Sequence, residues 1–101
     1  MMIAEVAARR TEVADLCRRF GVRRLDLFGS AARGDFDPAR SDLDFLVAFE
    51  PEALPFSTYF DFKDALETLF GRSVDLVEPG AIRNPYLKKS ISESQELVFA
   101  A

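Results

Sequence analysis

Residues 42–49, Asp-Leu-Asp-Phe-Leu-Val-Ala-Phe, constrain this chain more than any other stretch. Leu43, Phe45, Val47 and Phe49 alternate strictly, and side chains along a β-strand alternate between two faces. The segment therefore reads as a strand with one face in a core and with Asp42 and Asp44 together on the other. Their Cα atoms would stand roughly 7 Å apart by strand rise. A charged pair of this kind can simply blunt a solvent-facing sheet edge. Leu46-Val47-Ala48, however, continues the strand with apolar residues on both faces, so its far end reads as buried. The carboxylates then lie at the open end of a buried strand, where a hard divalent cation and phosphate oxygens find a place.

The rest of the chain supplies the partners such a strand needs. Ile3, Val6, Val13, Cys17 and Phe20 recur at helical spacing and predict one helix over residues 2–20. Arg18 and Arg19 suit its last turn, and Gly21 lies beyond its end, while Arg10 interrupts its apolar stripe. Residues 23–28 predict a short strand, and residues 29–40 a loop with an Asp37-Pro38 turn signal. Past Pro51 and Pro55, Tyr59, Phe62, Leu66 and Leu69 mark one side of a helix over 57–70, stopped by Gly71. Residues 73–77 predict a third strand. Asn84-Pro85 supplies the N-cap and first residue of a helix over 85–94, and Leu97-Val98-Phe99 a short final strand. This order predicts an α/β (α+β) fold, a small mixed sheet of three or four strands with helices packed on it. No repeat, low-complexity run or long linker divides it, so residues 1–101 are expected to form a single domain.

Composition narrows the chemistry. The 101 residues carry a formal charge of −4, from 17 acidic and 13 basic side chains, and 49% of them are hydrophobic. That balance suits a globular domain with one core and argues against direct nucleic-acid binding, which draws most of its affinity from phosphate contacts. Histidine is absent, which excludes Ser-His and Cys-His catalysis and a His-ligated zinc site. Any metal must take oxygen ligands. The lone Cys17 excludes an internal disulfide, fits a reducing compartment and falls on the apolar side of the first helix, as a small buried hydrophobe would. No apolar run approaches the ~20 residues of a membrane span, and Glu5 breaks the N-terminal apolar stretch, so a cytoplasmic protein is expected.

Gly29-Ser30 follows the 23–28 strand directly, with Ser30 twelve positions before Asp42. Glycine there lets the backbone approach a phosphate, and Ser30 with the N–H groups after it can hold phosphate oxygens. The same pair also serves as a strand-to-loop turn, with Ser30 capping a short helix over 31–33. Asp75 lies on the face opposite Val74 and Leu76, and an aspartate in so apolar a strand needs an ion pair or a metal. Asp42, Asp44 and Asp75 converging from neighbouring strands account for it better than an arginine partner. Arg33 and Arg40 flank the loop and can neutralise phosphate charge or pair with Asp35, Asp37 or Asp42. Arg83, Lys88 and Lys89 read as a solvated face. Phe56, Tyr59 and Phe60 suit either a contact surface or the core.

Together, Gly29-Ser30, Ala32-Arg33-Gly34, Ser41-Asp42-Leu43-Asp44 and the distant Val74-Asp75-Leu76-Val77 resemble the minimal nucleotidyltransferases of the polymerase-beta superfamily. The similarity runs over nearly the whole chain. It implies that family's fold, with Asp42, Asp44 and Asp75 as catalytic carboxylates binding one or two Mg²⁺ ions. Gly29 and Ser30 become the nucleotide-binding loop, with Arg33 beside it. The implied reaction is in-line attack of an acceptor hydroxyl on the α-phosphorus of a nucleoside triphosphate, ATP above all, releasing pyrophosphate. Minimal members of this kind pair with a HEPN-domain protein as the antitoxin of a toxin–antitoxin system. That pairing implies AMP transfer to a tyrosine hydroxyl of the partner. The alternative is a non-catalytic module that neutralises its partner by complex formation. A small-molecule nucleotidyltransferase would need an acceptor-binding domain that this chain does not carry. The acceptor, the base, the number of ions and homo-oligomer formation stay open at this level.

Overall fold

Four strands, β1 (Val22–Phe28), β2 (Leu43–Phe49), β3 (Val74–Val77) and β4 (Glu96–Ala100), form one mixed sheet in the order β3-β2-β1-β4. The structure is a computed structural model describing residues 2–37, 39–51 and 56–101, the side chains of residues 56 and 57 excepted. Pro38 of the expected turn, Pro55 and the Phe56 side chain lie outside that description. β1 runs antiparallel to β2 and β4, and β3 parallel to β2. A parallel pair requires a crossover, which helix α4 (Phe56–Phe70) supplies. Helices α1 (Ala4–Ala7), α2 (Arg10–Arg19), α3 (Ser30–Arg33) and α5 (Pro85–Ser94), with a 3₁₀ turn at Pro79–Ala81, complete the fold. The expected mixed sheet with helices packed on it is what the chain builds.

One face of the sheet carries the main core. Leu25 and Leu27 of β1, Leu43, Phe45 and Val47 of β2, and Val74 of β3 pack with Val6, Val13, Cys17, Phe62 and Leu66 from α1, α2 and α4. Burial pushes the Cys17 thiol up to about 12, so it stays neutral and acts as a small hydrophobe.

The expected 2–20 helix is two helices. Arg9, at φ −109° and ψ 12°, breaks it although neither glycine nor proline is present. Tertiary anchors hold the two halves apart. Glu5 accepts two hydrogen bonds from Arg72, at 2.6 and 3.0 Å, and the Arg10 Nε donates to the Val98 carbonyl at 3.2 Å. The interruption that Arg10 makes in the apolar stripe is thus a link to β4.

α4 also closes the free edge of β3. Glu67 accepts a hydrogen bond from the Val74 N–H at 3.0 Å, and the Tyr59 hydroxyl donates to the Leu76 carbonyl. That backbone bond, followed by Lys63, holds the Glu67 carboxyl below its usual value. A strand edge capped by side chains is unavailable for pairing with another chain.

The opposite face is covered by α5. Asn84 caps it, its Oδ1 accepting from the Tyr86 and Leu87 N–H groups at 2.9 and 3.3 Å. Ile91 packs with Leu46 and Ile82, against Phe28 and Val77. Its C-terminal end is tied to the sheet by Asp26, which is buried and accepts from Gln95 at 2.9 Å and from Arg24 at 2.7 and 3.0 Å.

Candidate active site

β1 ends where β2 and β3 begin, at one end of the sheet. There Phe28 pairs with Asp44, and Asp44 with Asp75 across the parallel ladder. The Leu43 N–H donates to the Ser73 carbonyl at 3.1 Å, so pairing starts at Leu43 and Asp42 stands just ahead of the strand. All six residues singled out from the sequence, Gly29, Ser30, Arg33, Asp42, Asp44 and Asp75, line one cleft of about 360 Å³.

Gly29 is the residue on which the arrangement turns. Its φ is +72°, and a Cβ at this position would fall 2.1 Å from Asp44 Oδ2. Only glycine lets the loop lie against that carboxylate. Gly29 also occupies the N-cap position of α3, its carbonyl accepting from Ala32 and Arg33 at 3.1 and 3.0 Å. Ser30 is therefore the first residue of α3 and makes no capping bond, contrary to the expected cap. Ser30 lines the cleft together with Ser41.

Asp44 is half-buried, whereas Asp42 and Asp75 are exposed. Burial pushes the Asp44 carboxyl up to about 6. Asp75, within reach of a shared proton, and then Asp42 push in the same direction, while Arg33 opposes them. Arg33 Nη2 lies 3.6 Å from Asp35, and Arg40 pairs with Asp37 at 4.0 Å, away from the cleft lining.

The donor set is all oxygen and negatively charged, which suits a hard cation such as Mg²⁺. Among the described residues no three carboxylates close on a single point. A cation would draw on Asp44 and Asp75, with the exposed Asp42 on the same cleft lining and water or phosphate oxygens completing its shell, as Mg²⁺ prefers. Such a cation would relieve the carboxylate repulsion that adds to burial in raising the Asp44 pKa.

Sequence reasoning missed the residue that holds this corner together. Arg72 grips Glu5 of α1, donates from Nη1 to the Ser41 carbonyl at 3.0 Å, and lies 5.0 Å over the Phe36 ring. It ties the segment before Asp42 to the start of β3. No local pattern marks it, because its partners are 31 and 67 positions away. Ser90 and Ser94 of α5, also on the cleft wall, carry no local signal either.

This fold and this carboxylate cleft define a nucleotidyltransferase. Residues 11–98 match the family described as the nucleotidyltransferase domain, and the chain belongs to that family. It is 40% identical over 91 residues to a provisionally named protein adenylyltransferase of Methanocaldococcus jannaschii, covering 82% of this chain and 91% of the relative. Against the protein adenylyltransferase MntA of Thermococcus cleftensis it is 38% identical over 81 residues, 78% of each chain. A solved structure provisionally described as a minimal nucleotidyltransferase superposes with a TM-score of 0.76 at 38% identity, covering 95% of both chains. The fold alone is shared with a complex of a tri-AMPylated HEPN toxin of Shewanella oneidensis and its MNT antitoxin. There the identity is 16%, the TM-score 0.66, and the coverage 95% of this chain and 73% of that one. Among the described residues no helix is long and apolar enough to cross a membrane.

Proposed function

We propose that this chain transfers AMP from ATP to a tyrosine hydroxyl of a HEPN-domain partner, and so acts as the antitoxin of that pair. The observation that carries the reading is the in-register Asp44–Asp75 pair beside a glycine whose missing Cβ leaves room for it. The named activity of the adenylyltransferase relatives supports the choice of AMP, and the HEPN complex that shares the fold supports the partner.

In this reading the triphosphate lies along Gly29, Ser30 and Arg33. The N–H groups opening α3, which have no acceptor within the helix, and the Ser30 hydroxyl face its oxygens. Arg33 offsets part of the phosphate charge. The acceptor oxygen bonds to the α-phosphorus as the bond to the bridging oxygen of the β-phosphate breaks, and pyrophosphate leaves. Asp75 orients the acceptor hydroxyl and receives its proton. Asp42 and Asp44, with Asp75, would hold Mg²⁺, which supplies stabilisation of the negative charge that develops on the phosphate oxygens.

The test is incubation of the chain with Mg²⁺, α-labelled ATP and its HEPN-domain partner, followed by intact mass of both proteins. The partner gains one or more AMP units, and Asp42→Asn with Asp44→Asn abolishes the gain while the fold persists. A stable complex without any mass change would favour the binding module instead.

A further inference from the structure

A second cleft meets the first at the carboxylates. Phe28, Asp44, Asp75, Leu87 and Ile91 border both. Beyond them the linings diverge. The first cleft continues into Gly29, Ser30, Arg33 and Ser41, groups suited to phosphate, and into Asp42. The second, of about 320 Å³, continues into Val77 and Ile82 on one side and Tyr59 and Lys63 of α4 on the other.

The polar groups of that α4 wall are already engaged. The Tyr59 hydroxyl is committed to the Leu76 carbonyl, and the Lys63 ammonium lies 3.2 Å from Glu67. What remains is an apolar passage, Val77, Ile82 and the Tyr59 ring, leading to two carboxylates.

We infer that this second cleft admits the acceptor side chain, and that Val77 and Ile82 select a phenol over an aliphatic hydroxyl. The inference rests on the nucleotidyl-transfer reading above. In-line displacement puts nucleophile and leaving group on opposite sides of the phosphorus. With the leaving phosphates over Gly29, Ser30 and Arg33, the open approach to the α-phosphorus is from the side of Val77 and Ile82. Tyrosine has the matching form, an apolar ring with a polar tip. Serine and threonine have no ring to set against the Val77–Ile82 wall. The oxygen–phosphorus bond then forms beside Asp75, one of the two carboxylates common to both clefts.

The experiment follows amide and methyl shifts of the whole chain by NMR, in separate titrations with N-acetyl-tyrosinamide, N-acetyl-serinamide and ATP with Mg²⁺. N-acetyl-tyrosinamide should shift Val77, Ile82 and Ile91, with ring-proton contacts to the Val77 and Ile82 methyls, and N-acetyl-serinamide should not. Val77→Glu should weaken that binding about tenfold, because a charge set against the ring must be desolvated. Tyrosinamide shifts confined to Gly29, Ser30 and Arg33, equal shifts with serinamide, or no shift at the solubility limit would each overturn the assignment. Failure of ATP with Mg²⁺ to shift Gly29, Ser30 and Asp44 would overturn the transfer reading itself, a result distinct from any of these.

Discussion

Asp44 and Asp75 stand opposite each other on the parallel strands β2 and β3, close enough for their carboxyls to share a proton. Two carboxylates in that relation strain the fold at neutral pH unless a cation or a proton lies between them. Most of what this site can do follows from that pairing.

The first consequence is a pH dependence of the metal-free protein. The folded chain holds the Asp44 proton up to about 6, against 3.8 ordinarily. Its stabilising contribution is therefore full below the unfolded value and lost as pH rises through the folded one. After discounting for partial exposure, the loss should be on the order of 1 kcal/mol between about pH 4 and about pH 7. Asp44→Asn should remove this slope. Urea unfolding of both proteins at the two pH values measures it, and an equal slope in the variant would place the proton on another group.

Divalent cations should act on the same pair in the opposite sense. Mg²⁺ at about ten times its Kd should stabilise the chain near neutral pH by roughly 1.4 kcal/mol, a rise in Tm of several degrees. Chelation should reverse the rise, and the Asp42→Asn, Asp44→Asn double variant should show none. A thermal scan with and without EDTA decides this. An equal response in the double variant would remove the cation from this cleft.

Gly29→Ala tests the close approach of loop and carboxylate. The added methyl meets Asp44 Oδ2 in a backbone conformation that alanine rarely adopts. The variant should lose about 1–2 kcal/mol of stability. Transfer should fall about 100-fold or more, because the displaced carboxylate no longer faces Asp75. Chemical denaturation and the AMP-transfer assay, run side by side, separate the two effects. Unimpaired transfer would show that Asp44 need not sit where it does.

Arg72 is a positioning residue. Arg72→Ala removes its bonds to Glu5 and to the Ser41 carbonyl and should cost about 2 kcal/mol. It should also raise the KM for ATP about tenfold by loosening the segment that presents Asp42. Arg72→Lys should recover little, since a point charge cannot bond Glu5 and Ser41 with one planar fork. Full transfer kinetics in Arg72→Lys would show that the fork is dispensable.

Much of the architecture was legible in local pattern. The 42–49 alternation, the Asn84-Pro85 start and the glycines at 21 and 71 each act within a turn or a strand. Their elements fall within one or two residues of expectation. Two readings failed for one reason. The break at Arg9 and the displacement of Ser30 from its cap are imposed by contacts from distant segments, Arg72 and Val98 in the first case and the Asp44 carboxylate against Gly29 in the second. Periodicity carries no trace of such contacts.

Residue types and local spacing were enough to limit the available chemistry to oxygen ligands without histidine, a glycine-serine turn after a strand, and aspartates at positions 42, 44 and 75. Strand periodicity put Asp44 opposite its own core residues. Folding of the whole chain was needed to bring Asp44 and Asp75 into register, to let Arg72 tie three segments together, and to set two clefts against the same carboxylates. The reason is physical. β2 and β3 are joined through the α4 crossover, so their register depends on how α4 packs and caps the β3 edge, an outcome of the whole core.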